Sequence, residues 1–214
     1  MKKIILSIAA LALTSVASAQ ILDFEGMPPY KLGITAGLNM ASFSAVGYDH
    51  ALGIQAGIDL MVDASDLFEH THLRTQLKYS MKGAKGPETL LFSNDLEPET
   101  YNIYYTTHYL ELPIHYGYSW RLADDWTILA ETGPYFAVGL GGTGREDGLA
   151  WPKSHSFFKY YDACRFDFGW GIQAGVLFCQ ELMLNVSYDW GFKNLTPAYL
   201  QNTNFSVGLT YFIE

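Results

Sequence analysis

Glu111, His115 and Ser119 share one parity of the stretch YLELPIHYGYSW, residues 109–120. A carboxylate, an imidazole and a hydroxyl are the three groups of a serine hydrolase, so the first question is whether they can meet. Along an extended strand four residues span about 13 Å, several times the ~2.6–3.2 Å reach of a nucleophile–base hydrogen bond. A triad would need partners from neighbouring strands, with Glu131, Asp167 and Asp189 as the acids on offer. His70 and His72 share a strand face, which suits a metal, but two ligands are too few for structural zinc and no cysteine lies near. They read as the solvated start of a strand.

Two further patterns fall to the same kind of test. Gly139, Gly141 and Gly144 match G-x-G-x-x-G, yet the Arg145-Glu146-Asp147-Gly148 that follows is a loop and not the helix a dinucleotide site needs. Asn185-Val-Ser187 and Asn194-Leu-Thr196 fit the glycosylation pattern, and the first lies inside a strand, so both read as chance. No cofactor and no metal are expected.

The elements that carry these residues are strands. Period-two alternation recurs over 30–40, 52–62, 73–81, 110–120, 126–140, 166–178, 182–192 and 205–213. Every second residue of each segment, counted from its first, belongs to a face without charge and without glycine. The opposite face carries Lys31, Asp59, Arg74, Lys78, Glu111, His115, Glu131, Asp167 and Asp189, together with glycines such as Gly33, Gly57, Gly117 and Gly171. A soluble sandwich would bury the apolar face and wet the other. A face this uniformly apolar suits lipid, and the charged face then points into a narrow lumen.

In lipid every backbone amide must pair within the sheet, so the sheet must close. The expected fold is all-β: an eight-stranded antiparallel up-and-down transmembrane β-barrel. Short connections near 63–66, 121–125 and 180–181 alternate with longer ones at 41–51, 83–109, 141–165 and 193–204, the asymmetry of periplasmic turns and outer loops. Trp120, Trp126, Phe178 and Tyr211 gather near the short turns, and Tyr188, Trp190 and Phe192 at the other end, as an interfacial girdle would.

Charge and targeting agree with this placement. The chain has 214 residues with 13 basic and 22 acidic side chains, a balance that excludes a nucleic-acid partner. Lys2 and Lys3, the apolar run 4–13 and Ala17-Ser18-Ala19 predict a secretory signal peptide over 1–19. Residues 20–29 then form a short periplasmic segment and 30–214 the barrel. Gln20, not a cysteine, directly follows the cleavage site, so no lipid anchor is expected. Cys164 and Cys179 stand 15 residues apart along what reads as one strand, roughly 50 Å at ~3.3 Å per residue, too far to bridge.

The segments GITAGLNMASFS (33–44), YSMKGAKG (79–86), YLELPIHYGY (109–118), AETGPYFAVGL (130–140) and YDWGFKNL (188–195) resemble the PorT-like outer-membrane β-barrel family of Bacteroidetes. The resemblance spans the mature chain. It implies a small outer-membrane barrel, for the founding type one implicated in protein secretion to the cell surface, and it implies no catalytic residue. Such barrels tend to end on an outward aromatic that the insertion machinery reads. Here Tyr211 keeps that pattern, while Ile213 takes the last outward place and Phe212 has lumen parity.

The lumen of an eight-stranded barrel is just wide enough to be filled by side chains. Charges there must be paired or they cost several kcal/mol each. Lys82 and Arg165, on the same parity just beyond two segments, bring the signs level. The row Glu111, His115, Ser119 therefore reads as lumen filling, with no open channel. Pro113 removes an amide donor from a closed sheet, which predicts a bulge or a local break. Function is expected in the outer loops, where Tyr101, Tyr104, Tyr105, Trp151, Tyr160 and Tyr161 are candidate binding residues. The leading expectation is a non-enzymatic surface scaffold or partner-binding protein, with an envelope or secretion protein as partner, outer-membrane lipid around it and the barrel-assembly machinery inserting it. Narrow porin-like transport and a lipid-modifying enzyme with a site on the outer rim are the alternatives.

Overall fold

A computed structural model describes residues 30–45, 47–90, 99–147, 154–160, 162–196 and 200–213. The strands are β1 (Tyr30–Phe43), β2 (Asp49–Asp63), β3 (Thr71–Leu90), β4 (Glu99–Ala123), β5 (Trp126–Asp147), β6 (Ser154–Ser156), β7 (Phe166–Phe178), β8 (Leu182–Gly191) and β9 (Asn202–Ile213), with a single helical turn α1 (Phe157–Tyr160) between β6 and β7. Each strand except β6 pairs antiparallel with both neighbours, and β1 pairs with β9 from Leu32↔Ile213 to Phe43↔Asn202. The result is a closed eight-stranded up-and-down barrel. β6 hangs on the far end of β5 at Thr143↔Ser156 to Arg145↔Ser154.

Side chains alternate as the period demands. In β7 the residues from Phe166 to Phe178 are exposed or buried by turns almost without exception. The exposed set includes Ile34, Leu38, Leu52, Ile54, Val138, Ile172, Leu184 and Leu209, all on the apolar parity. A belt of this kind is tolerable only against lipid. Near the short turns the Trp126 and Phe178 rings lie 4.7 Å apart, as do those of Tyr118 and Trp120. Among the described residues no helix is long and apolar enough to cross a membrane.

Of the segments expected as loops, 83–90, 99–109 and 141–147 continue the strands and 154–156 form β6, while 91–98, 148–153 and 161 lie outside the described residues. β3 and β4 stay paired from Lys82↔Thr107 up to Leu90↔Glu99, and β5 follows β4 to Asn102↔Asp147. This continuation adds roughly 25 Å of hairpin at ~3.3 Å per residue. Clear of the bilayer, lipid no longer selects one face, so the apolar alternation fades although the hydrogen-bonded ladder continues.

Pro113 sits in a break and not a bulge. The β3–β4 ladder lapses between Thr75↔Ile114 and Lys78↔Glu111 and resumes in the same register. Thr75 Oγ1 donates to the Pro113 carbonyl at 3.0 Å across the gap. The bulges lie elsewhere, at His50/Gln55, His108/Tyr109 and Arg121/Ala123. Beside the first of these, a Cβ at Gly53 would stand 2.0 Å from the Met81 carbonyl oxygen, which is backbone and cannot yield cheaply. Gly53→Ala is expected to destabilise the barrel by about 1–3 kcal/mol, the usual cost of overpacking, read as a lower urea midpoint for unfolding from lipid vesicles.

Candidate functional site

The lumen is closed at its outer end by an aromatic plug. Phe157 and Phe158 of α1 turn inward and are buried with Phe43, Ile103, Tyr105, Tyr109, Leu195 and Leu200. The Phe157 ring stacks on Phe43 at 6.0 Å and meets Tyr105 edge-on at 5.7 Å. Phe158 meets Tyr109 edge-on at 6.1 Å and carries the Arg165 guanidinium over its face at 4.7 Å. Arg165 therefore stays outside the lumen, correcting the expectation that it balances charge there: it is exposed and donates to the Gly139 carbonyl at 2.7 Å.

Below the plug lies the polar interior, and it holds Asp59, Arg74, Lys78, Glu111, His115, Glu131, Asp167 and Asp189, all buried, with Lys82 at 1% exposure. Arg74 is the hub. Its Nε and Nη2 bind the Asp59 carboxylate at 2.9 and 2.5 Å, Nη1 reaches Glu131 Oε2 at 3.2 Å and Nη2 reaches Thr210 Oγ1 at 3.2 Å. Gln76 and Gln173 complete the two carboxylates, each donating at 2.6 Å. Higher up, Glu111 pairs with Lys78 at 3.2 Å and Lys82 at 2.6 Å. Lys82 also lies 4.8 Å from the Tyr135 ring centroid, and Asp167 accepts from Tyr135 Oη at 3.3 Å and Asn202 Nδ2 at 2.8 Å. His115 stands opposite Arg74 in register and Asp189 opposite Gly171. Among the described residues, the three buried cations Arg74, Lys78 and Lys82 all come from β3.

At the short-turn end the lumen opens into a funnel of about 510 Å³. Met61, Leu129 and Leu177 form its apolar wall, and Lys31, Asp63, Ser119, Arg121, Thr127 and Gln180 supply polar groups. Lys31 is half-buried at this mouth, donating to the Gln180 carbonyl at 3.0 Å and its Oε1 at 2.7 Å.

The row Glu111, His115, Ser119 is not a unit, since Glu111 is held by the lysines. Ser119 instead meets His72, which is 4% exposed inside the barrel and not at the solvated start of a strand as expected. Ser119 Oγ lies 2.9 Å from His72 Nδ1, and His72 Nε2 lies 2.8 Å from Glu131 Oε1. His72 and Glu131 are both register partners of Gly117, one from each side. A Cβ at Gly117 would stand 2.5 Å from His72 Nε2 and 2.7 Å from Glu131 Cγ, so the missing side chain lets the two meet across β4. His70 is left in the turn, exposed, with φ of 66°. Among the described residues no cluster of three or more His, Cys, Asp or Glu could hold a metal. Cys164 and Cys179 are free and flank β7.

Of the outer candidates, Tyr101 is a β4 residue opposite Glu88. Tyr104 is 39% exposed under the Lys85 ammonium, 5.0 Å from its ring centroid. Tyr160 is 62% exposed and stacks on His155 at 4.0 Å. Tyr105 is buried in the plug instead of presented outward. Trp151 and Tyr161 lie outside the described residues, as do the segments 1–19 and 20–29.

Several solved barrels resemble this chain at low identity. The Yersinia pestis attachment invasion locus protein Ail, solved in complex with the heparin analogue sucrose octasulfate, is 13% identical with a TM-score of 0.42 over 86% of this chain and 99% of its own. Neisserial surface protein A is 12% identical with a TM-score of 0.43 over 85% and 96%. The N-terminal β-barrel domain of Pseudomonas aeruginosa OprF is 10% identical with a TM-score of 0.32 over 84% and 97%. No curated protein matches the chain. The family whose description is outer membrane protein beta-barrel domain matches residues 25–196, most of the closed sheet, and the chain belongs to that family.

Proposed function

We propose that this outer-membrane barrel is a non-conducting surface scaffold that binds a partner through its outer end, without catalysis there. The observation that carries the reading is the plug: α1 folds into the barrel mouth, where Phe157 is fully buried, while Tyr104 and Tyr160 stay on the outer surface. A barrel shaped for solute flow would leave that mouth open. The paired outer ends of β3 and β4 offer the partner a hydrogen-bonded ladder beside Tyr104, and aromatic anchors are among the usual sites of binding energy. The partner is an envelope or secretion protein, in line with the PorT-like resemblance of the five segments quoted above. The leader at 1–19 delivers the chain to the barrel-assembly machinery.

Two experiments test this. Pure protein in planar bilayers is expected to show no steady conductance of porin size; such a conductance would establish the transport alternative instead. Crosslinking in native envelopes from residues 104 and 160 is expected to capture a defined protein. Capture of lipid and assembly machinery alone would remove the partner role.

A further inference from the structure

We propose that Ser119, His72 and Glu131 are the nucleophile, base and positioning carboxylate of an acyl-ester hydrolase site at the periplasmic mouth of the barrel. This is independent of partner binding, which concerns the opposite end. The three groups come from β4, β3 and β5, and their contacts of 2.9 and 2.8 Å fall within the reach that nucleophile activation requires. Glu131 is fixed from behind by Arg74 and Gln173, so it cannot follow the imidazole if the ring swings. Accepting the Nε2 proton, it leaves Nδ1 as the acceptor that faces Ser119 Oγ. The ring is turned relative to the usual serine-protease orientation, but proton transfer needs only one basic nitrogen in reach.

The surroundings suit a small ester. Ser119 is only half-buried and lines the funnel together with the buried His72, whereas Glu131 lies behind the lining. A volume of about 510 Å³ is that of a small-molecule site. Met61, Leu129 and Leu177 provide an apolar wall for a short acyl chain, and Arg121, on the parity of Ser119 and lining the same space, provides a cation for the oxyanion. Ser119 Oγ attacks the carbonyl carbon as its proton passes to His72 Nδ1. The ester C–O bond breaks and the departing alkoxide takes that proton. Water then adds to the acyl carbon, giving a proton to His72. The Ser119 ester bond breaks, Ser119 recovers the proton, and the carboxylic acid leaves.

The test uses the full chain refolded in detergent micelles, with the heat-dependent gel shift of a closed barrel as the folding control. A fluorophosphonate probe is expected to label Ser119, located by peptide mass. Labelling should vanish in Ser119→Ala and slow by about a hundred-fold in His72→Gln, the scale of a lost general base. Glu131→Gln is expected to move the midpoint of the labelling pH profile, which a purely structural carboxylate would not do. Should His72→Gln or Glu131→Gln fail to close, hydrolysis of p-nitrophenyl butyrate by wild type against Ser119→Ala decides the matter. Folded wild type that takes no label at Ser119, or that hydrolyses the ester no faster than Ser119→Ala, overturns the proposal.

Discussion

Arg74→Met is expected to lower the stability of the barrel by about 3–5 kcal/mol, the cost of breaking a buried ion pair from one side. The substitution keeps much of the side-chain volume but strands two carboxylates. Asp59 is fully buried and Glu131 nearly so, and both lean on the same guanidinium. Urea titration in lipid vesicles, followed by tryptophan fluorescence, reads the change directly. Adding Asp59→Asn to Arg74→Met should return part of the loss, because it removes one stranded charge. A double-mutant cycle then isolates the coupling between the two. If Arg74→Met unfolds at the wild-type midpoint, the lumen network is not what holds the sheet in register.

Phe157→Ala is expected to cost about 3–5 kcal/mol at the outer end, the range for emptying a buried aromatic site. The loss should stay local. α1 is tethered through the three residues of β6, and the barrel ladder does not pass through it. The expected result is a barrel that still shows its heat-dependent gel shift but is cut rapidly by trypsin at Lys159 or Arg165 on intact cells. Tyr160→Ala is the control, since that ring is exposed and removing it leaves the plug intact. Equal protease resistance in Phe157→Ala and Tyr160→Ala would show that the aromatic cluster does not latch the mouth.

What could be read from residues alone follows from where lipid acts. Lipid imposes one rule on one face, so the eight spanning segments and the inward positions of Arg74, Lys78, Glu111 and Glu131 were legible as a period of two. Above the bilayer that rule stops, and the outer halves of β3, β4 and β5 passed for loops. His72 shares the parity of Arg74, Gln76 and Lys78, and starting the strand at Thr71 instead of Leu73 would have put it in the lumen. Its meeting with Glu131 could not be anticipated in the same way. It depends on register across three strands, His72↔Gly117↔Glu131, and on a missing side chain at the middle one. Phe212 was legible by its lumen parity, but the inward Met61, Leu129, Leu177 and Met183 that pack with it were hidden, because apolar residues on a polar parity carry no local signal.

Among the described residues every buried lysine and arginine lies on β3, which makes the strands around it electrostatically interdependent. Arg74 answers to Asp59 on β2 and Glu131 on β5, and Lys78 and Lys82 answer to Glu111 on β4. A nascent sheet that ends at β3 carries three ammonium or guanidinium groups of which only one has a counter-charge. The next strand neutralises the lysines, and the one after it completes the arginine. Any sheet that lacks one of β2, β4 or β5 leaves part of this charge on β3 unanswered, so the four strands β2 to β5 form one electrostatic unit.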